Sequence, residues 1–270
     1  MVRRMAADSD IKTYRERLRL LVESGLLISV ERDRDRLFRH ILSSGKELSH
    51  CDAATMYLMT ERQTLQFALR SKEDPLPAFE IPLCDAQTGA PNESHVSTYV
   101  ALHNQPINIE DVYAEKRFDL KGTLRFDEES GYRTVSMLTL PMSTPESEVL
   151  GVLQFINAMD PVSGRIIAFG DEVIELLGAL ASFAAVALKN QQLIDNQKRL
   201  LDGMILAISG AIDAKSPYTG GHCARVPELA IMLAEEACHT SDGPLADFRF
   251  NGAEEWEEFR IGAWLHDCGK

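Results

Sequence analysis

Apolar residues recur at helical spacing at the start of the chain. Tyr14–Ile28 carries Leu18, Leu21, Leu26 and Leu27 among charges, and Arg36–Leu48 places Leu37, Ile41 and Leu48 on one side, so each reads as a helix. The charged run Glu31–Asp35 separates them. The pattern then changes to that of strands. Ala53–Met59 and Leu65–Leu69 flank a polar turn and predict a hairpin, with Glu80–Leu83 as a third strand. Asp85–Ser94 is small and polar and reads as a loop, and Val96–His103 as a short helix. An irregular stretch leads from there to Gly131. Thr134–Met142 and Glu148–Asn157 are the clearest strands, and the polar turn between them makes them antiparallel neighbours.

A long helix is expected from Asp171. Asp171 and Glu172 suit the positive end of its dipole, and Ile174, Leu177, Leu180 and Ala184 form a helical stripe. The stripe runs on through Leu188, Leu193, Leu200, Met204 and Ile208. One helix of about forty residues fits this period, and so do two helices broken near Asp195. A continuous helix that is polar on most sides over Lys189–Arg199 has no single core to bury it and reads as a two-chain coil joining two domains. Lys215–Gly221 holds Pro217, Gly220 and Gly221 and stops it. His222–Ala237 and Ala253–His266 resume helical spacing around the loop Ser241–Gly252.

Composition narrows the class. The 270 residues are 45% hydrophobic and 26% charged, as in ordinary globular chains of about two domains. Lys+Arg 28 against Asp+Glu 41 leaves a net charge of −13, which gives no bulk attraction for nucleic acid or anionic lipid. Five cysteines without a CxxC pair do not suggest a disulfide framework. The opening MVRRMAADSD is not a signal peptide, and the longest apolar run, Leu176–Leu188, is too short to span a bilayer, so a cytoplasmic protein is expected.

The residues suited to chemistry lie near the C-terminal end. Val226, Leu229, Leu233 and Ala237 form one helical face, and His222, four residues before Val226, shares it. Trp256, Phe259 and Ala263 form another, ended by His266, with Asp267 beside it. Two inward imidazoles and a carboxylate are suitable ligands for divalent first-row metals, and a pair of such ions can activate water for attack on phosphorus. Hydrogen-bonded core histidines would show the same spacing. Lys270 could meet a phosphate oxygen as a point charge.

Ala211–Ala230, containing D-x-K-x-P-Y-T-G-G-H, and Trp264–Lys270, containing H-D-x-G-K, closely resemble the opening of an HD-GYP domain, with 266 − 222 = 44 residues between the two histidines. That family is the metal-dependent subset of HD phosphohydrolases that hydrolyse cyclic di-GMP. The resemblance implies that His222, His266 and Asp267 are metal ligands, that Asp267 and Lys270 belong to the catalytic machinery, and that the metals are two divalent ions, iron or manganese. Tyr218 stands where members with a third metal carry Glu, which favours two. Pro227 stands where a helix former is expected and requires a kink or a nearby helix start. The family carries further histidines, an Asp and a G-Y-P segment downstream. The expectation is therefore a truncated HD-GYP domain that is catalytically incomplete as it stands.

Arg17–Gln192 resembles a GAF domain in its leading helices, the phrase Gln105–Asp119, the strand pair Thr134–Asn157 and Phe169–Asn190. The fold class expected is α+β: a GAF-like antiparallel sheet flanked by helices, then a long linking helix and an all-α HD fragment. The divisions are 1–16 N-terminal extension, 17–188 GAF, 189–210 linking helix and 211–270 HD-GYP. A homodimer through the GAF domain and linking helix is implied. Asp111, Tyr113, Phe118 and Asn157 are the candidate GAF ligand contacts, although a self-packed loop explains the first three equally simply. Cyclic-nucleotide-binding members carry Asn-Lys, a Phe, and Asp-Glu after a three-residue gap. Here Asn157 and Phe169 are kept, but Ala158, Val173 and Ile174 depart from the motif. Cys51 and Cys84 are poorly placed for a bilin, and His95 or His103 would be the residues for haem. The functional expectation is a GAF-regulated cyclic di-GMP phosphodiesterase. The alternatives are a non-catalytic GAF binding and dimerisation module, or another HD-family nucleotide phosphohydrolase.

Overall fold

The protein is described by a computed structural model covering residues 2–71, 79–215, 222–266 and 268, with side chains from residue 14 to 71, 79 to 211, 225 to 266 and at 268. The chain divides into two compact units, Met1–Gln192 and Leu193–Lys270.

The first unit opens with α1 (Val2–Val30) and α2 (Arg34–Ser49). Asp33 starts α2 by accepting the Arg36 N–H at 2.8 Å, and His50 ends it in the left-handed conformation with its N–H on the Lys46 carbonyl. Leu37, Ile41 and Leu48 of α2 are buried, as their spacing predicts. On α1, Leu21, Ser24 and Ile28 face the core, while Leu18, Leu26 and Leu27 face outward. The helix also begins well before Tyr14, through most of the segment expected as an extension.

The sheet is antiparallel, in the order β3-β2-β1-β6-β5-β4, with β7 on the end of β6. Its strands are β1 (Cys51–Met59), β2 (Thr64–Arg70), β3 (Glu80–Pro82), β4 (Ile107–Ile109), β5 (Met137–Ser143), β6 (Val149–Met159) and β7 (Ile166–Ile167). The β1–β2 hairpin and the β5–β6 pair match the sequence pattern. β1 and β6 are near-continuous apolar runs because both of their faces are covered.

One face of the sheet carries Met56, Leu138, Leu153 and Phe155 against α2 and the start of α5 (Asp171–Lys215), including Leu177, Leu180 and Ala184. Gly45 lets α2 close on that face, since a Cβ there would run into the Phe155 ring. The other face carries Tyr57, Met137 and Val152 beneath α3 (Val96–His103) and the segment Ile109–Leu120. α4 (Lys121–Ser130) occupies part of the stretch expected to be irregular. It buries only Asp127 fully, so its sequence lacks the apolar stripe that marks a helix. Cys51 is a buried free thiol with Sγ on the Ala53 carbonyl, and Cys84 is exposed.

The second unit begins within α5 and continues through α6 (His222–His239), a 3₁₀ turn (Gly243–Leu245) and α7 (Ala253–Trp264), with no strand among its described residues. α6 packs on α7, and Arg260 of α7 pairs with Asp202 of α5 at 2.5 Å and with Glu257 at 2.6 Å. Phe248, Phe250, Trp256 and Phe259 form an aromatic cluster with tilted and edge contacts at 4.7–6.4 Å. Pro227 sits inside α6, in its second turn.

The inward face of α6 differs from the expected one. Pro227 and Ala234 are buried, whereas Leu229 and Leu233 are 57% and 70% exposed. Val226 and Ala237 are half-buried, so the covered face of α6 is turned away from its leucines. Among the described residues, no helix is long and apolar enough to cross a membrane.

Candidate functional site

A concavity of the first unit lies where Val112–Leu124 covers the sheet. It is a cleft of about 420 Å³ lined in part by Ser94, Tyr113, Phe118, Asp119 and Leu124. Three cations, Lys116, Arg117 and Lys121, and the carboxylate of Glu115 stand along it. Local hydrogen bonds fix the segment. Asp111 accepts the Tyr113 N–H at 2.9 Å, and its carbonyl accepts the N–H groups of Ala114 and Glu115. Asp111 is thus the start of a turn, while the cleft itself is lined by Tyr113 and Phe118.

Glu115 accepts from the backbone of Lys116 and Arg117 and from the Arg117 guanidinium at 3.0–3.3 Å. Led by the Arg117 side chain, these donors hold its carboxyl at about 2, far below the usual 4.5. Phe118 is buried with Tyr99 at its edge and the Arg117 guanidinium over its ring. Tyr99 in turn lies against His103, whose Nε2 is 2.9 Å from Glu93.

Tyr113 connects the cleft to a buried polar group. Its hydroxyl donates to Asp127 at 2.8 Å. Asp127 also accepts the Thr134 N–H at 2.7 Å and the Thr134 hydroxyl at 2.9 Å. Hydrogen bonding to Asp127 raises the Tyr113 phenol, and the Arg133 guanidinium lies 4.5 Å over the Tyr113 ring.

Asn157, buried and in the left-handed conformation, holds the same strand entry from the other side. Its Oδ1 accepts the Val135 N–H at 2.7 Å, and its Nδ2 donates to the Arg133 carbonyl and the Tyr132 hydroxyl. Tyr132 donates to Asp52. Asn157 is therefore tied to residues 132–135 and is not among the residues lining the cleft. Asp52, Glu115, Asp127 and Tyr132 carry no periodic sequence signal. Their roles depend on contacts across as many as 80 residues of chain.

The covered face of the sheet holds a second polar group. Gln154 accepts from the Tyr57 hydroxyl and donates to Thr139, both at 3.3 Å. Burial pushes the Tyr57 phenol up to about 12. Nearby, the Arg70 guanidinium lies over both Phe67 and Phe126, 5.3 and 5.4 Å from the ring centroids.

In the second unit His266 follows α7 on a turn instead of ending the helix. It is half-buried, and its Nδ1 is 2.8 Å from the Ala263 carbonyl. The His222 side chain, Asp267 and Lys270 lie outside the described residues. Among the described residues, no group of three His, Cys, Asp or Glu side chains is placed to hold a metal ion.

An antiparallel sheet with helices packed on one face, and a short helix and irregular cover on the other, defines an α+β domain of the GAF type. The GAF domain profile matches residues 33–188, and the chain belongs to that family. It is 33% identical over 104 residues to the dual 3′,5′-cyclic-AMP and -GMP phosphodiesterase 11A of Takifugu rubripes, covering 38% of this chain and 11% of that one. It is 26% identical over 175 residues to the cGMP-specific 3′,5′-cyclic phosphodiesterase of Drosophila melanogaster, covering 62% and 15%. The matched region thus spans 15% or less of these relatives.

Among solved structures, the GAF domain of a phosphoenolpyruvate-protein phosphotransferase from Coxiella burnetii aligns with a TM-score of 0.53 at 12% identity, covering 68% of this chain and 98% of that one. The corresponding Acinetobacter domain gives 0.51 at 15% identity, covering 67% and 98%. At these identities the likeness concerns the fold. The first unit is a GAF signalling module, similar in sequence to part of each of these cyclic-nucleotide phosphodiesterases.

Proposed function

We propose that the protein is a GAF-regulated, metal-dependent phosphodiesterase of the HD-GYP type that hydrolyses cyclic di-GMP. The observation that carries this reading is the pair of phrases at Asp213–His222 and His266–Lys270, 44 residues apart and following a GAF domain. The group required is a pair of divalent ions, iron or manganese, and His222, His266 and Asp267 would hold them. Bound ions of this kind lower the pKa of water and stabilise in-line attack on phosphorus. The contact of its Nδ1 with the Ala263 carbonyl fixes the orientation of the His266 ring, as outer partners do for metal-binding histidines. Lys270 would neutralise charge on the substrate phosphate, and Asp267 would help to hold the ions.

The coding sequence beyond Lys270 tests the assignment. A G-Y-P segment within roughly one hundred codons, the remainder of one domain, supports it, and its absence removes cyclic di-GMP as substrate. The whole gene product with manganese or iron is expected to turn over cyclic di-GMP, and His266→Ala to lose both bound metal and turnover.

Input to the sensor would enter at the cleft that Tyr113 and Phe118 line, with Asp111 and Asn157 fixing the surrounding backbone. Tyr113 reaches Asp127 and through it Thr134 beside β5, so a ligand displacing the phenol would act on the sheet. Native mass spectrometry of the purified protein is expected to find a retained small molecule, which Phe118→Ala releases. If every preparation has the bare chain mass, a ligand-sensing role at this cleft is lost.

A further inference from the structure

The structure assigns Arg260 a positioning role: its guanidinium ties α5 to the turn that carries His266, and metal affinity at that turn depends on the tie. This role rests on the metal site proposed above.

Within the second unit α5 offers little to its neighbours. Among its described residues there, Ile205 and Ser209 are buried, Asp202 is half-buried, and every other one is exposed. The three recur at spacings of three and four and so share one face. A carboxylate, one isoleucine and one serine are thus what this part of α5 covers, and the carboxylate is the member with a long-range polar partner. Arg260 of α7 supplies that partner, with Nη2 2.5 Å from Asp202 Oδ1. The same guanidinium is held on its own helix by Glu257, with Nη2 2.6 Å from Oε1 and Nε 3.1 Å from Oε2. The planar fork meets the Glu257 carboxylate edge to edge, which aims it at α5 before Asp202 is engaged.

Arg260 stands six residues before His266, about 9 Å along a helix. The turn that follows is built on the carbonyls of the last helical residues. The Leu265 N–H donates to the Ile261 carbonyl at 3.0 Å, the Cys268 N–H to the Leu265 carbonyl at 2.9 Å, and His266 Nδ1 lies 2.8 Å from the Ala263 carbonyl. The imidazole therefore moves with α7. An ion pair this exposed adds little to stability, so its effect lies in where it holds α7. It also opens without stranding a charge, because Glu257 keeps the guanidinium when Asp202 withdraws. α5 runs unbroken from Asp171 to Lys215, so a twist imposed on it in the GAF unit reaches Asp202.

Hydrogen exchange of the 270-residue chain, read by mass spectrometry, tests the tie without metal. Asp202→Asn and Arg260→Gln are each expected to speed exchange of the Leu265 and Cys268 amides, and the double variant to speed it no further. In the whole gene product, manganese alone is expected to bind at least about fivefold more weakly to either variant, and no more weakly to the double one. The thermal midpoint of the metal-free protein is expected to stay where it was. Should Arg260→Gln not fold, Arg260→Lys replaces it, since a single nitrogen cannot keep two bonds to Glu257 and also reach Asp202. Additive effects, unchanged exchange and manganese affinity, or a midpoint that falls in step with the affinity would overturn the positioning role. An unsubstituted gene product that takes up no manganese would remove the metal site itself and the role with it, a failure visible before any variant is made.

Discussion

Asp127 accepts three hydrogen bonds, from Tyr113 and twice from Thr134, and two of the donors are buried with it. Asp127→Ala strands the Thr134 N–H and hydroxyl, and the expected loss is about 2–4 kcal/mol, read as a lower urea midpoint with an unchanged m-value. Tyr113→Phe removes only the donor at the surface, and its expected cost is below about 1 kcal/mol. Glu115 predicts a pH effect of definite sign. Its carboxyl is held at about 2 when folded against an ordinary 4.5, so the native state favours the ionised form. The stabilisation is complete above about pH 5 and is lost as pH falls through 4.5 towards 2. Thermal melts across that window are expected to be steeper in pH for the native chain than for Glu115→Gln. Parallel curves would mean that solvent screens the Arg117 pairing.

At the scale of elements, two glycines mark close approaches, Gly45 between α2 and the sheet and Gly151 between β6 and β1. A Cβ on Gly151 would strike the Tyr57 carbonyl, which cannot yield without disturbing the β1–β6 ladder. A Cβ on Gly45 would meet the Phe155 ring, which is enclosed but can shift. Gly45→Ala is expected to cost about 1–3 kcal/mol and Gly151→Ala more, by chemical denaturation. Equal costs would mean that the ladder adapts as readily as a side chain.

The elements readable from the sequence were those with one dominant period. α2, α3, the β1–β2 hairpin and the β5–β6 pair fall within a few residues of their expected limits. α4 escaped because its one deeply buried residue is a carboxylate, and β4 because three residues cannot display an alternation. α6 shows a further limit: spacing finds a stripe of leucines, but which face a helix buries depends on where its neighbours lie. The site was legible in part for the same reason. Tyr113 and Phe118 belong to the irregular segment expected to roof the pocket, and they line the cleft, whereas Asp127 is not singled out by the sequence because its partners come from other segments.

Over the whole molecule, 41 acidic against 28 basic side chains set long-range behaviour. The chain is expected to pass through a heparin column at low salt, and retention would reveal a basic patch strong enough to overcome the net charge.

Cys51 and Cys84 together provide an internal clock. Burial pushes the Cys51 thiol up and keeps it from solvent, while Cys84 stands open. An alkylating pulse should therefore tag Cys84 within seconds but reach Cys51 only when β1 leaves the sheet. Mass spectra of the two cysteine peptides taken along the pulse would then report how often the GAF unit opens, without any substitution in the chain.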